Sequence, residues 1–166
     1  KVSMADLASS LAEEGGIGLI AGTALKVKEL KEEIRKARKK TDGIIGVNIM
    51  YAAADFAKLI KASISSGIDV IVSGAGFSRD MFTLGKKGDV PIVPIVSSVK
   101  LARISEKLGA AGIVVEGGNA GGHLGSDEDS WELVKRIEGE VDIPVIGAGD
   151  IVTHDDVKDM FELGVD

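Results

Sequence analysis

The stretch Leu101-Ala102-Arg103-Ile104-Ser105-Glu106-Lys107-Leu108-Gly109-Ala110-Ala111-Gly112-Ile113-Val114-Val115-Glu116-Gly117-Gly118-Asn119 decides the fold. Its first half places apolar residues three and four apart (Leu101, Ile104, Leu108), the stripe of an amphipathic helix. Gly109 ends that stripe. Gly112–Val115 is then a short apolar run, suited to a strand buried on both faces, and it gives way to small and polar residues.

Outward in both directions the same unit recurs. Helical stripes run through Leu7 and Leu11, through Leu30, Ile34 and Ala37, and through Phe56, Leu59, Ile60 and Ile64. Later ones pass through Val134 and Ile137 and through Val157, Met160 and Phe161. Between them lie the apolar runs 17–20, 44–50, 68–72, 92–96 and 143–146. Regular alternation of this kind predicts an α/β protein with a parallel sheet under covering helices. The junction of helix end, Gly and strand echoes at Gly16, Gly67 and Gly109, and again at Leu163-Gly164-Val165-Asp166.

Six strands are expected in 166 residues, whereas a (β/α)8 TIM barrel takes roughly 250. The expectation is one domain over 1–166, part of a TIM barrel whose first and last strands are not in this chain. A doubly wound open sheet is the alternative, because six parallel strands satisfy it without further pieces.

Composition narrows the function classes. Apolar residues make up 45% and charged residues 28%, as in an ordinary globular protein. The net charge of −6 disfavours nucleic acid, which calls for basic surface. The basic run Lys36, Arg38, Lys39, Lys40 follows Glu29, Glu32 and Glu33 at pairing distance and reads as a solvated helix face. There are no cysteines, hence no disulfides, zinc thiolates or cysteine nucleophile, and no run long enough to span a membrane. These features fit a cytoplasmic protein with a small-molecule substrate.

In parallel α/β folds, sites gather where strands end. Those ends read Ala21-Gly22-Thr23, Asn48-Ile49-Met50, Ser73-Gly74-Ala75-Gly76, Ser97-Ser98, Glu116-Gly117-Gly118-Asn119 and Gly147-Ala148-Gly149-Asp150. Small residues at every end let a broad ligand approach the backbone. Asn48 is an amide in an apolar strand and needs partners, either a neighbouring strand or a polar heterocycle. Gly147-Ala148-Gly149 leads from a strand to a helix capped by Thr153, an arrangement that favours a phosphate. Asp150 is an awkward neighbour for that phosphate unless its carboxylate points away. His123 stands among five glycines in the loop 116–125, where it can act as acid, base or donor to an anion, or be a plain loop residue. His154 reads as a surface residue.

Ala120-Gly121-Gly122-His123-Leu124-Gly125 resembles the Ala-Gly-Gly-His signature of nitronate monooxygenases, formerly 2-nitropropane dioxygenases, shared by flavin-dependent enoyl-ACP reductases. The blocks Glu14–Gly18, Gly46–Met50, Ser73–Gly76 and Ile143–Gly149 resemble family blocks in family order, so the resemblance spans the chain. It implies an FMN-dependent TIM-barrel oxidoreductase with His123 as active-site base or substrate-binding residue. By the same resemblance Asn48 and Glu116 line the flavin, with Ser73 and Gly74 in a further flavin-side block. Gly121 and Gly122 pass near its ring system, and Gly147, Ala148 and Gly149 hold the phosphate. Asp150 stands where many members carry a second glycine, and the family's first strand (Gly-Gly-Met) and last strand (Gly-Thr) have no counterpart in the sequence.

Two activities follow from the resemblance: oxidation of alkyl nitronates or nitroalkanes with O2, and NAD(P)H-dependent enoyl-ACP reduction. A flavin-free phosphate-binding aldolase or isomerase is a third reading, which a Schiff-base lysine at a strand end would support. A non-catalytic remnant without FMN is a fourth. Homo-oligomerisation is left open.

Overall fold

The computed structural model describes residues 2–74, 76–121 and 127–166. Helices and strands alternate along the described chain. They are α1 (Ala5–Glu13), β1 (Gly18–Ala21), α2 (Val27–Arg38), β2 (Ile45–Asn48), α3 (Phe56–Ile64), β3 (Val70–Ser73) and α4 (Arg79–Gly88), followed by β4 (Ile92–Val96), α5 (Val99–Lys107), β5 (Ile113–Glu116), α6 (Ser130–Ile137), β6 (Val145–Ala148) and α7 (His154–Glu162). The chain forms two compact units, Lys1–Ser73 with Phe77–Ile92, and Gly74–Gly76 with Val93–Asp166.

In the first unit β1, β2 and β3 pair in parallel, with Ile20 opposite Val47 and Val47 opposite Ile71. All three of these side chains are fully buried, and α2 and α3 bury Leu30, Ile34, Ala37, Leu59 and Ile60. Alternation sends Leu19, Gly46 and Val70, then Ala21, Asn48 and Val72, to the other side of the strands. In the second unit β4, β5 and β6 pair in parallel. Ile113 and Val115 are fully buried on one side, while Val114 and Glu116 lie half-buried on the other.

Three expected stripes turn out differently. In α1, Leu7 and Leu11 are half exposed, and the buried face is Ala5, Ala8, Ser9 and Ala12. The cause is close approach: a Cβ on Gly18 would lie 1.9 Å from the Ala8 carbonyl oxygen, and one on Gly43 would lie 2.5 Å from that of Ala12. Only small side chains fit a helix held that near the strand. In α5 the fully buried residues are Ala102 and Ser105, with Leu101, Ile104 and Leu108 intermediate. In α7 only Met160 is buried, its sulfur in the space beside Gly147, while Val157 and Phe161 are exposed. Those two border a hollow of about 150 Å³ with Ile146, Ile151 and Val165.

At two of the echoed junctions, Gly67-Ile68-Asp69 and Gly164-Val165-Asp166, an aspartate follows the glycine and ties the strands. Asp69 donates its N–H to the Ile45 carbonyl (3.0 Å), and its carboxylate accepts from the Ile45 N–H (2.7 Å). Asp166 treats Val145 the same way, at 2.9 Å for each bond. Each aspartate satisfies both polar groups of the residue that opens the preceding strand, while Gly67 and Gly164 supply the left-handed turn before it. No helix among the described residues is long and apolar enough to cross a membrane.

Candidate active site

In the first unit the site candidate is Asn48, the last residue of β2. Its Oδ1 is buried and accepts no hydrogen bond from any described residue. Buried acceptors are nearly always paired, so an orphan of this kind at a strand end marks a place where a donor is expected from outside the described residues. Beneath it the strand surface is closely filled: a Cβ on Gly46 would lie 2.5 Å from Leu19 Cδ2 and 2.6 Å from Val70 Cγ1. Beside it the Thr23 hydroxyl accepts from the Met50 N–H (2.9 Å), tying the ends of β1 and β2 together. Ser73 is fully buried and shares the side of Ile71, opposite that of Asn48.

In the second unit Glu116 ends β5 and pairs in register with Ala148 at the end of β6. Burial pushes its carboxyl above the ordinary glutamate value of 4.5. Gly74 is buried, and Gly121 is exposed, with nothing within 4 Å of where a Cβ would stand. Gly122 and His123 lie outside the described residues.

Past Glu116 the chain enters a hydrogen-bonded knot. The Gly117 N–H donates to the Ser130 hydroxyl (2.9 Å), and the Gly118 N–H to the Glu128 carbonyl (2.6 Å). The Asn119 amide donates to Asp129 (3.0 Å) and accepts from the Ser130 N–H (2.8 Å). Asp129 in turn caps α6, accepting from the N–H groups of Trp131 and Glu132.

The turn after β6 comes close to the same knot. Gly149 has φ +113°, and a Cβ there would lie 2.4 Å from the Ser130 Oγ, so this glycine is required by the chain's own packing. Asp150 follows in the left-handed region (φ 56°), exposed to solvent. Thr153 caps α7 as expected: its hydroxyl accepts from the Asp156 N–H, and the Asp156 carboxylate accepts from Val152 and Thr153 N–H groups. These bonds hold the Asp156 carboxyl below its usual value. The amino-terminus of α7 is therefore already served by an internal anion, and a phosphate would have to rely on the backbone of the turn 147–151 instead. His154 is exposed at the start of α7.

A family model described as nitronate monooxygenase matches residues 1–166. The chain belongs to that family. Among the family's relatives and related structures, FabK from Thermotoga maritima is 34% identical with a TM-score of 0.95, covering 99% of this chain and 52% of that one. A Mycobacterium tuberculosis protein named (3aS,4S,5R,7aS)-5-hydroxy-7a-methyl-1-oxo-octahydro-1H-indene-4-carboxyl-CoA dehydrogenase is 31% identical over 150 residues, 89% of this chain and 42% of that protein. A probable nitronate monooxygenase of Staphylococcus aureus is 25% identical over 206 residues, 96% of this chain and 58% of that protein. The chain thus spans about half the length of the relatives it matches. Nitroalkane oxidase from Streptomyces ansochromogenes shares the fold (TM-score 0.89, 20% identity). The parallel α/β architecture is accordingly the TIM-barrel-like one of this family.

Sequence reasoning missed Ser130, which links the end of β5 to the turn after β6, and Asn119 with Asp129. The signal for Asp129 was available, since Asp-Ser before a helical stripe is a cap. Nothing local signals that Ser130 accepts from a residue 13 positions earlier.

Proposed function

We propose that this protein is an FMN-dependent oxidoreductase acting on alkyl nitronates, with O2 as co-substrate. The observation that carries the reading is the buried, orphaned Oδ1 of Asn48, an acceptor suited to a ring N–H of a polar heterocycle. Within the second unit, the half-buried Glu116 pairs in register with Ala148, and the small-residue turn Gly147-Ala148-Gly149 offers one phosphate's worth of backbone. A single such turn suits FMN rather than FAD.

The flavin, when bound, supplies the one-electron route from the nitronate to O2. The chain's own residues do the rest. Asn48 accepts a hydrogen bond from the ring through Oδ1 and fixes its orientation. Gly74 and Gly121 carry no side chain to crowd a ligand, and Glu116 offers a half-buried carboxyl at the end of β5. Asp150 keeps its carboxylate in solvent, away from the phosphate that Gly147–Gly149 would hold. His123 takes the α-proton of a neutral nitroalkane on an imidazole nitrogen, or as imidazolium holds the nitronate anion.

A second reading, reduction or oxidation of an acyl thioester with a nicotinamide, is favoured by identity: 34% and 31% to FabK and the carboxyl-CoA dehydrogenase, against 25% to the probable nitronate monooxygenase. The whole flavin-loaded protein decides between them. O2 uptake with a nitronate and no nicotinamide is expected; NAD(P)H consumption with a crotonyl thioester, and no O2 uptake with nitronate, would establish the second. In the same assay His123→Asn is expected to lower turnover of a neutral nitroalkane by about 10²–10⁴-fold. Turnover of a preformed nitronate should fall far less. Equal losses on both would make His123 a binding residue.

A further inference from the structure

We infer that Ser130 is a positioning residue for the phosphate turn after β6, an assignment that rests on the reading just given. The ends of the parallel pairs show how. At the end of β1 the last rung is Ala21 with Asn48, and the next residue, Gly22, donates its N–H to the Asn48 carbonyl (2.9 Å). At the end of β2 the last rung is Asn48 with Val72, and Ile49 donates to the Val72 carbonyl (3.0 Å). The ladder between β5 and β6 ends on Glu116 with Ala148, so the same pattern would send the Gly117 N–H to the Ala148 carbonyl. It goes instead to the Ser130 hydroxyl (2.9 Å).

Ser130 thus closes the ladder one bond early. It is fully buried at the start of α6, and its own N–H is held by Asn119 Oδ1 (2.8 Å), so the hydroxyl sits on a fixed mount. The same oxygen abuts Gly149: a Cβ there would overlap it and lie 3.2 Å from the Ala120 Cα. Gly149 and Asp150 then follow in left-handed conformations, φ 113° and 56°.

The consequence lies in the backbone donors. The N–H groups of Gly149, Asp150 and Ile151 meet no acceptor among the described residues, whereas those of Val152 and Thr153 are taken by Asp156. Successive free N–H groups in a turn of this kind make a concavity for an anion. Without the Ser130 oxygen, the Gly117 N–H would turn to the Ala148 carbonyl, as at β1 and β2. The chain at Gly149 would be drawn toward β5, and the three donors would be re-aimed.

The phosphate gives a readout that a general loss of stability does not move. FMN and riboflavin share the ring system and differ in the phosphate, so the ratio of their affinities isolates the turn. The whole protein, freed of its cofactor, is titrated with each flavin as the parent, Ser130→Ala, Ser130→Cys and Leu133→Ala. Leu133 is fully buried in the same helix and serves as the control for stability alone.

Ser130→Ala is expected to bind FMN about 10- to 100-fold more weakly, the effect of losing one or two hydrogen bonds to a charged group. Its riboflavin affinity should stay within about threefold of the parent's, well below one such bond. Ser130→Cys keeps the shape with a weaker acceptor, so it should show a smaller loss in the same direction. Leu133→Ala should leave the ratio unchanged. Equal weakening of both flavins by the Ser130 variants, or a parent-like ratio in both, overturns the assignment. A ratio that collapses equally in Leu133→Ala does so too. If the parent itself shows no preference for FMN over riboflavin, the phosphate reading of the turn fails and this inference with it. If the parent prefers FMN and the Ser130 variants keep that preference, only the inference fails.

Discussion

Asn48 and Asn119 are the chain's two asparagines, and both stand where an apolar strand gives way to its loop. Asn119 uses its amide inside the protein, donating to Asp129 and accepting from Ser130. Asn48 buries an oxygen that no described residue meets. A folded chain tolerates an unmet buried acceptor at a cost of about 1–3 kcal/mol. The difference separates two states of one side chain: the satisfied amide fixes backbone, and the unsatisfied one is the acceptor on which the proposed flavin reading rests. The first unit thus offers a rigid apolar strand surface with one polar address, while the second offers a tied loop base and a glycine turn.

The comparison breaks most violently at Gly117. Gly117→Ala forces a Cβ against the Glu128 carbonyl and the Ser130 nitrogen, backbone atoms that cannot swing away. Overpacking of this kind costs about 1–3 kcal/mol or more, and a thermal melt should detect it. A parent-like melting temperature would mean that the knot at the loop base is looser than its hydrogen bonds imply.

At Asn48 the expected sign is the opposite. Asn48→Leu removes the orphan acceptor and adds apolar surface beside Ala21 and Val72. Cofactor-free protein should melt at the parent temperature or above it, by up to about 1 kcal/mol of added stability. The same variant should bind FMN more weakly. A substantial drop in melting temperature would return Asn48 to a purely structural role.

Glu116 gives the smallest effect and one that depends on pH. Burial raises its folded-state carboxyl above 4.5. Its contribution to stability is therefore fully present below that value and lost as pH rises through the raised one. Glu116→Gln removes the loss, so it should melt above the parent at pH 7, with the gap closing as pH falls toward 4.5 and below. A gap that widens in acid would reverse the assignment of burial as the cause.

Much of the architecture was legible because it rests on periodicity. Leu30, Ile34 and Ala37 in α2 and Val134 and Ile137 in α6 are fully buried where their spacing put them. Leu7, Leu11, Val157 and Phe161 were misread for one reason: which face of a helix is buried depends on what it meets. Gly18 and Gly43 bring α1 too near for leucine, and Gly147 makes room for Met160 alone. Of the candidate site, Asn48 was legible as a polar residue in an apolar strand, but the lack of a partner could be seen only in three dimensions. The phosphate reading was half legible. The glycine turn is present, yet Asp156 occupies the helix terminus beside it, a bond that no strand-turn-helix pattern reveals. Ser130 was hidden because its hydrogen-bond partner Gly117 and its close neighbour Gly149 come from different strand ends.

The most direct measurement is to release the cofactor from the whole protein and weigh it. The orphan acceptor at Asn48 and the single glycine turn at Gly147–Gly149 predict one FMN per chain, with a flavin absorption spectrum before release. Protein that carries FAD, or none and takes up no added FMN, would contradict the account.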